Sequence, residues 1–296
     1  MKTTPDAASP LLQGHDSSSP LRWGILGVGG AGRARGRAIQ QDPRAELVAG
    51  HRGDPGALGI PHWSVEEILE RCDAVAICSP DALHAEQIQA ALLAGCHVLT
   101  EFPVCQSAAR ARELFALAQG KGKALHVEHI ELLGGVSQVL GERNLSPRSA
   151  HIAFQTGPRS MSPAWGNVAR IHRALHALGE PTAVRVEARD AGHLLGALLY
   201  PWGELGLDFR QAPGLKRQTR FVISGTHTWV QQDRTLSRDG TLLVLPQNRG
   251  LFFEDQLLAT AHILDGAPHC LPQTRILRVL ELIEDLEAAT IVTGAD

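Results

Sequence analysis

A glycine-rich turn between an apolar run and an amphipathic segment is the feature that most constrains the fold. Gly27, Gly29 and Gly32 give the spacing GxGxxG directly after the strand-like residues 23–26 and before a predicted helix over 31–41. The first glycine permits a tight turn, the second lets the backbone approach a pyrophosphate, and the third lets the helix pack closely on the strand. The pattern predicts a dinucleotide at the N-terminus of this helix.

The segments behind the turn alternate between short apolar runs and amphipathic stretches as far as about residue 128. Further strands are predicted over 46–49, 74–78, 97–99 and 124–127, and further helices over 65–70, 82–94 and 107–119. A strand–helix–strand rhythm at this spacing predicts an α/β fold, in which residues 21–128 form an N-terminal Rossmann domain with a doubly wound parallel sheet. Four βα units behind the glycine turn make the dinucleotide prediction specific, because GxGxxG alone is a weak signal.

The rhythm changes after about residue 131, where strand-like runs follow one another. They lie over 150–155, 184–188, 220–224, 228–232 and 241–245, with a single predicted helix near 163–178 and two more over 252–264 and 273–289. Residues 129–296 are therefore predicted to form a C-terminal α+β domain with a large, open and mostly antiparallel sheet, which binds the substrate.

Composition narrows the class of protein. A chain of 296 residues with 44% hydrophobic content and a net charge of −3 is typical of a globular protein with two domains, and predicts no nucleic-acid partner. No apolar run approaches the roughly 20 residues that span a bilayer, so no membrane partner is expected. Residues 1–20 lack the apolar centre of a signal peptide and are expected to form a flexible tail. Five cysteines without a CxxC pair favour a cytoplasmic protein, and no metal site is predicted.

The end of the second predicted strand bears on the choice between NAD and NADP. An acidic residue there would bind the ribose 2′-hydroxyl, but this chain has His51 and Arg52, and Asp54 comes later. A guanidinium pairs well with a 2′-phosphate, so NADPH is favoured and NADH is the less favoured possibility. Arg33 is close enough to the helix N-terminus to touch phosphate, whereas Arg35 and Arg37 are expected at the surface. The predicted cofactor-binding residues are Gly27, Gly29, Gly30, Gly32, Arg33, His51, Arg52, Ser79, Pro80, Asp81, His84, Glu101 and Phe102.

Ser79-Pro80, with His84 shortly after, resembles the strand-end motif of the glucose–fructose oxidoreductase/inositol dehydrogenase superfamily, which lies along the nicotinamide. That superfamily usually has Glu-Lys-Pro after the next strand, and the lysine serves as acid and base for a sugar hydroxyl. Here the triplet is Glu101-Phe102-Pro103. Phenylalanine transfers no proton, so sugar oxidation by the usual route is disfavoured. Phe102 either presents a flat apolar face to a ring or packs in the core.

Within that superfamily the chain resembles the biliverdin reductases, and the cyanobacterial type in particular. The likeness is strongest over 97–135, and includes 121–135, 166–173 and the basic loop 213–217. The resemblance implies hydride transfer from NADPH to the C10 bridge of biliverdin IXα, giving bilirubin IXα. The substrate is a linear tetrapyrrole with a wide conjugated plane and two propionates. The residues implied in substrate binding are Phe102, Glu128, Arg170, Arg173, Lys216 and Arg217.

The source of the proton stays open in the sequence. Arg170 matches the arginine of the family's catalytic region, and would orient the substrate and stabilise charge, because a guanidinium is a poor acid. His126 and His129 are more natural acids near neutral pH. Glu101 would act only if burial raised its pKa. Two alternatives remain: an NAD(P)-dependent oxidoreductase of a sugar or small carbonyl compound, and a non-catalytic NADP-binding regulator. The oligomeric state is open between monomer and homodimer, as is the use of related linear tetrapyrroles.

Overall fold

The computed structural model describes residues 19–143, 145–269 and 271–292. Clustering of neighbouring residues divides the chain into two compact units. The first unit runs to Cys105 and also contains Ala109–Glu128 and Phe252–Leu271. The second unit contains Gln106–Ala108, His129–Leu251 and the residues from Pro272 onwards.

The strands and helices of the described residues are numbered in chain order. The strands are β1 (Leu21–Val28), β2 (Ala45–Gly53), β3 (Ala74–Ile77), β4 (His97–Thr100), β5 (Leu125–Val127), β6 (Pro147–Thr156), β7 (Ala183–Arg189), β8 (His193–Tyr200), β9 (Gly203–Gln211), β10 (Gln218–Gly225), β11 (Thr228–Gln232), β12 (Thr235–Arg238) and β13 (Thr241–Leu242). The α-helices are α1 (Gly30–Gln41), α2 (Val65–Arg71), α3 (His84–Leu93), α4 (Ala108–Gly120), α5 (Ile130–Leu133), α6 (Gly135–Gly141), α7 (Val168–Leu178), α8 (Leu251–Leu264) and α9 (Gln273–Ala288).

The first unit is built on a five-stranded parallel sheet with the order β2-β1-β3-β4-β5. All residues of β3 and β4 are buried, as expected for parallel strands covered on both faces. The strand order reverses between β1 and β3. Ligands of doubly wound sheets bind at such a switch point, outside the carboxyl ends of the strands. The glycine turn follows β1 and therefore lies at this position.

The second unit is built on an eight-stranded sheet with the order β13-β12-β11-β10-β6-β9-β8-β7. Every neighbouring pair is antiparallel except β6 and β9, which run parallel. Burial alternates along the central strands: Ile152 and Phe154 of β6 are buried, and the residues between them are more exposed. The side chains of Leu207 and Phe209 on β9 are fully buried on the same face of the sheet.

The predicted fold class is confirmed, with a parallel Rossmann sheet followed by a large and mostly antiparallel sheet. The single helix predicted among the second-domain strands is α7, whereas the short helices α5 and α6, which precede β6, were not predicted. One or two turns of helix give too little periodicity to recognise. The predicted strands also omit β8 and β9, which contain three glycines.

The helix α8 belongs almost wholly to the first unit, although the sequence analysis placed residues 252–264 in the second domain. Ala259 and Ile263 of α8 join a core cluster with Trp23 and Ile25 of β1. The apolar face of a helix shows that the helix packs against a hydrophobic core, but it does not show which of the two cores that is. Most of the predicted N-terminal tail, 1–18, lies outside the described residues. Among the residues that are described, no helix is both long enough and apolar enough to cross a membrane.

Candidate active site

The glycine turn after β1 has the geometry of a pyrophosphate cradle. Gly27 has a φ of 93°, and a Cβ there would lie 2.7 Å from backbone atoms of Cys78 and Ser79. A Cβ on Gly32 would overlap the carbonyl oxygen of Gly27. A Cβ on Gly29, by contrast, would meet no atom within 4 Å. Gly29 is the N-cap of α1, so this open space lies beside the free N–H groups of the helix, where a pyrophosphate fits.

The residues after β1 and β2 supply cations around this cradle. Arg33 is half-buried in the first turn of α1 and makes no ion pair with any described residue. Arg52, at the end of β2, is exposed and has a φ of 59°. The carboxylate of Asp54 accepts a hydrogen bond from the backbone N–H of Ala57 at 3.2 Å and so caps the following short turn. The acidic residue nearest to the end of β2 is therefore used locally, while Arg52 faces solvent.

His51 is held by its own surroundings. Its Nδ1 lies 2.9 Å from the carbonyl oxygen of Trp63, and its ring packs against His62 with the ring centres 5.3 Å apart. The ring is half-buried. We infer that His51 supports the end of β2 and leaves the neighbouring Arg52 to meet a cofactor.

The loop after β3 is fixed by a buried histidine. His84 has no exposed surface; its Nε2 lies 2.9 Å from the carbonyl oxygen of Ser79, and its Nδ1 lies 2.8 Å from that of Pro103. The Ser79 hydroxyl bonds to Gln87. His84 thus joins the loop after β3 to the loop after β4 and positions Ser79 and Pro103, while its contact with the cofactor stays a prediction. Pro80 is exposed and Asp81 half-buried in this loop.

The triplet that follows β4 carries an acid and a ring. Glu101 Oε1 lies 3.4 Å from Arg35 Nη2 and 3.7 Å from the Sγ atom of Cys78. Burial raises the pKa of Glu101, although the charge of Arg35 opposes this. Such a rise is the condition under which Glu101 could act as an acid. Phe102 is half-buried, and its backbone N–H lies 3.5 Å from Oε1 of the buried Glu128.

The prediction that the side chain of Arg35 is exposed is wrong. Arg35 was expected at the surface, but it is fully buried, with Nη2 2.7 Å from Asp255 Oδ2. Burial alone would lower the pKa of Arg35, but the charges of Asp255 and Glu101 raise it. The signal was present, because Arg35 shares a helical face with Gly32, Gly36 and Ile39, which are all buried.

The two candidate histidines are both buried. His126 Nε2 lies 3.2 Å from Asp255 Oδ1, and the ring centre of His269 lies 4.5 Å from that of His126. His126 therefore ends a buried polar chain that starts at Glu101 and passes through Arg35 and Asp255. His129 is 3% exposed at the start of α5. Burial of both rings favours positioning roles over direct proton transfer.

The second unit gathers three guanidinium groups and one carboxylate near the guanidinium of Arg170. Arg170 of α7 is 5% exposed, and its Cζ lies 3.6 Å from the ring centre of Phe154. Arg173 pairs with Glu131 at 2.8 Å. Burial lowers the pKa of Arg170 to about 9; Glu131 opposes this, and the charges of Arg217, Arg173 and Arg159 add to it. We call these four arginines (Arg159, Arg170, Arg173 and Arg217) the arginine cluster.

Donors in the arginine cluster remain available. Among the described residues, Arg170 Nε has no hydrogen-bond partner, nor have Nε and Nη2 of Arg173. Arg217 is exposed, and so is the neighbouring Lys216. A buried cation whose hydrogen-bond donors have no partner lowers the stability of the fold unless an anion pairs with it. The cluster is therefore suited to carboxylate binding.

Comparison with known proteins places the first part of the chain beside a known family. Residues 21–129 match the GFO_IDH_MocA model, described as an oxidoreductase family with an NAD-binding Rossmann fold. The predicted dinucleotide-binding Rossmann fold, which rested on the glycine turn and the strand ends, is thereby confirmed.

Similar proteins cover most of the chain. Human biliverdin reductase A is 28% identical over 295 residues, which is 89% of this chain and 94% of that protein. The crystal structure of biliverdin reductase from Synechocystis sp. PCC 6803, in complex with biliverdin and NADP+, has a TM-score of 0.79 at 25% identity, covering 90% of this chain and 98% of that one. UDP-N-acetylglucosamine 3-dehydrogenase from Acidithiobacillus ferrooxidans has a TM-score of 0.77 at 19% identity, with 90% and 96% coverage, and shows the shared fold alone.

Proposed function

We propose that this oxidoreductase is a biliverdin reductase, which uses NADPH to reduce biliverdin IXα to bilirubin IXα at the C10 bridge. The resemblance over 97–135 and the similarity to human biliverdin reductase A over 89% of the chain support the proposal. The solved structure of the cyanobacterial enzyme supports it as well.

The observation that carries the proposal is the arginine cluster. The charges of Arg159, Arg173 and Arg217 act on Arg170, as does that of the carboxylate Glu131, and Arg170 is buried with its Nε free of partners among the described residues. An anionic ligand would offset the cost of this buried charge. Biliverdin carries two propionates on a conjugated plane, and Phe154 beneath Arg170 adds an aromatic surface to the same cluster.

The phenylalanine at position 102 also supports reduction of biliverdin over oxidation of a sugar. Oxidation of a sugar hydroxyl needs a base to remove the hydroxyl proton, and Phe102 stands where the superfamily's lysine would do so. Reduction of a methine bridge needs no such base. It needs a hydride at C10 and one proton at the adjacent pyrrole nitrogen.

The residues of the chain would divide this work. When bound in the glycine cradle, NADPH supplies the hydride, breaking its C4–H bond and leaving NADP+. Arg170 holds a propionate and stabilises charge on the tetrapyrrole. Burial lowers the pKa of Arg170 to about 9, so Arg170 is still protonated at pH 7 and carries the charge that binds the propionate. The proton at the pyrrole nitrogen would come from water.

The preference for NADPH rests on Arg52. It is exposed, carries no ion pair within the described chain, and follows the strand that ends beside the adenosine ribose in this fold. A guanidinium binds the 2′-phosphate through charge-assisted hydrogen bonds. The carboxylate of Asp54, which would repel that phosphate, is turned toward the backbone of Ala57.

The experiment is an absorbance scan of the purified protein with biliverdin IXα and either NADPH or NADH. We expect the red band of biliverdin to fall, a bilirubin band near ~450 nm to rise, and NADPH to be the faster cofactor. Arg170→Ala should lower kcat/KM by between about ten- and a hundred-fold, the loss of one charge-assisted contact.

The matched control is Arg148→Ala, which removes an exposed arginine from the start of β6 and should leave kcat/KM unchanged. NADPH binding without any change in the biliverdin spectrum would overturn the proposal and favour a regulator. Turnover of a sugar or small ketone in place of biliverdin would overturn it in favour of the sugar-acting branch.

A further inference from the structure

A buried carboxamide with free hydrogen-bonding atoms lies at the end of β9. Gln211 is 7% exposed, and neither its Nε2 nor its Oε1 makes a hydrogen bond with any described residue. A buried amide that makes no hydrogen bonds lowers the stability of the folded protein. Its backbone is well fixed, because the N–H of Gln211 donates to the carbonyl of Gly192 at 2.7 Å.

Gln211 shares a face of the sheet with the aromatic ring that supports Arg170. In the parallel pairing of β6 and β9, Phe154 is opposite Phe209 and Thr156 is opposite Gln211. Side chains two residues apart on a strand point to the same face, so Phe154 and Gln211 are diagonal neighbours, with Cα atoms roughly 8 Å apart. The guanidinium of Arg170 lies directly on the Phe154 ring.

A second contact places Gln211 beside the arginine cluster. A Cβ added to Gly166 would lie 2.9 Å from Gln211 Nε2 and 3.4 Å from Arg159 Cδ. The carbonyl oxygen of Gly166 in turn accepts a hydrogen bond from Arg159 Nη1 at 3.2 Å. Gln211 thus reaches the turn that precedes α7, and Arg159 meets it there.

The chemistry of Gln211 differs from that of the cluster. Arginine side chains only donate hydrogen bonds, so they can bind a carboxylate but cannot accept from an N–H group. A carboxamide offers an acceptor and a donor side by side. Its best partner is a cis amide, whose N–H donates to the carboxamide oxygen and whose carbonyl accepts from the carboxamide nitrogen.

We propose that Gln211 binds a terminal lactam ring of the tetrapyrrole substrate. The lactam N–H donates to Gln211 Oε1, and the lactam carbonyl accepts from Gln211 Nε2. In a linear tetrapyrrole of this kind each propionate-bearing ring adjoins a lactam ring, as Gln211 adjoins the arginine cluster. The assignment rests on the proposed biliverdin reductase function, and makes Gln211 a specificity residue that carries no charge.

Gln211→Met tests the assignment, because methionine has nearly the same shape and no amide. We expect the KM for biliverdin to rise about 5- to 30-fold, the worth of one to two hydrogen bonds, while kcat and the KM for NADPH stay within about two-fold. The melting temperature should stay or rise, since the amide bonds to no described residue. Gln231→Met is the matched control: Gln231 is 3% exposed on β11 of the same sheet, and its Nε2 donates a hydrogen bond to the carbonyl oxygen of Asp233.

A modified substrate separates the two kinds of contact. Biliverdin dimethyl ester has no carboxylates but keeps both lactams. With the ester, Arg170→Ala should lose most of its effect on KM, whereas Gln211→Met should keep its full effect.

The outcomes distinguish this inference from the proposed function. Absence of biliverdin turnover in the unmodified protein overturns the function. Normal turnover with an unchanged KM in Gln211→Met overturns the lactam contact and leaves the function standing. Loss of folding in both Gln211→Met and Gln211→Leu would show a structural role for the amide, and would likewise overturn the contact.

Discussion

The buried arginines of this oxidoreductase fall into two kinds. Arg35 is paired with Asp255 at 2.7 Å and with Glu101 at 3.4 Å, so its charge is balanced inside the first unit. Arg170 and Arg173 of the second unit share Glu131 and retain donors without partners among the described residues. A balanced buried cation is part of the framework, whereas an unbalanced one implies a ligand that balances it. By this criterion Arg35 supports the fold, whereas Arg170 and Arg173 are the candidates for substrate binding.

Arg52 provides a test of cofactor choice at the level of one side chain. Arg52→Asn is the suitable variant, because asparagine tolerates the left-handed backbone at φ 59°. Losing the 2′-phosphate contact should raise the KM for NADPH by about 10- to 100-fold and leave the KM for NADH nearly unchanged. Steady-state kinetics with both cofactors measure this. Arg37→Ala, which removes an exposed arginine from α1, is the control, and a loss that is equal for NADPH and NADH would refute the assignment.

Among the elements, the turn between β1 and α1 contains one glycine whose surroundings suit cofactor binding and another whose surroundings require close packing. Gly29 borders open space, while Gly32 lies against the backbone of Gly27. The same substitution at these two positions should therefore have different consequences.

Gly29→Ala should fold normally and raise the Kd for NADPH by about ten-fold or more, because its methyl group occupies the space of the pyrophosphate. Gly32→Ala should lower the free energy of unfolding by roughly 1–3 kcal/mol, because α1 must move away from β1. Titration of NADPH fluorescence and urea unfolding measure the two effects. Unchanged NADPH affinity in a folded Gly29→Ala protein would contradict the cradle.

The elements that could be predicted from sequence are those whose signals are local. The glycine turn, the parallel strands and the final helix α9 each follow from spacing and periodicity. The short helices α5 and α6 and the glycine-containing strands β8 and β9 lacked such signals. The core that receives α8, and with it the Asp255–Arg35 pair, joins positions about 220 residues apart. A single sequence does not show which residues that lie far apart in the chain come into contact. Gln211 was not predicted for the same reason.

Across the whole molecule, each unit holds a histidine that resists protonation, His172 being buried and His262 half-buried. Burial lowers the pKa of His172 in the second unit to about 3, with the charges of His129 and Arg275 adding to the effect. Burial lowers the pKa of His262 in the first unit to about 4, with His126 adding to it. Both histidines are therefore neutral in the folded protein at any pH near neutrality.

This arrangement predicts a loss of stability in mild acid. The unfolded chain binds a proton at His262 below about pH 6.5, whereas the folded protein does so only below about pH 4. The unfolded state therefore holds more protons in this window, and stability falls as the pH falls, by up to about 1.4 kcal/mol per pH unit for each such histidine. The raised pKa of Glu101 acts in the opposite direction, so variants are needed to isolate the histidine contribution.

Melting temperatures at pH 7.5 and pH 5 provide the measurement. Unmodified protein should melt at a lower temperature at pH 5, and His262→Leu should show a smaller difference between the two pH values, because it has no imidazole to protonate. His151→Leu removes an exposed histidine from β6 and should behave like the unmodified protein. Equal pH differences in all three proteins would mean that His262 is as accessible to protons in the folded state as in the unfolded chain.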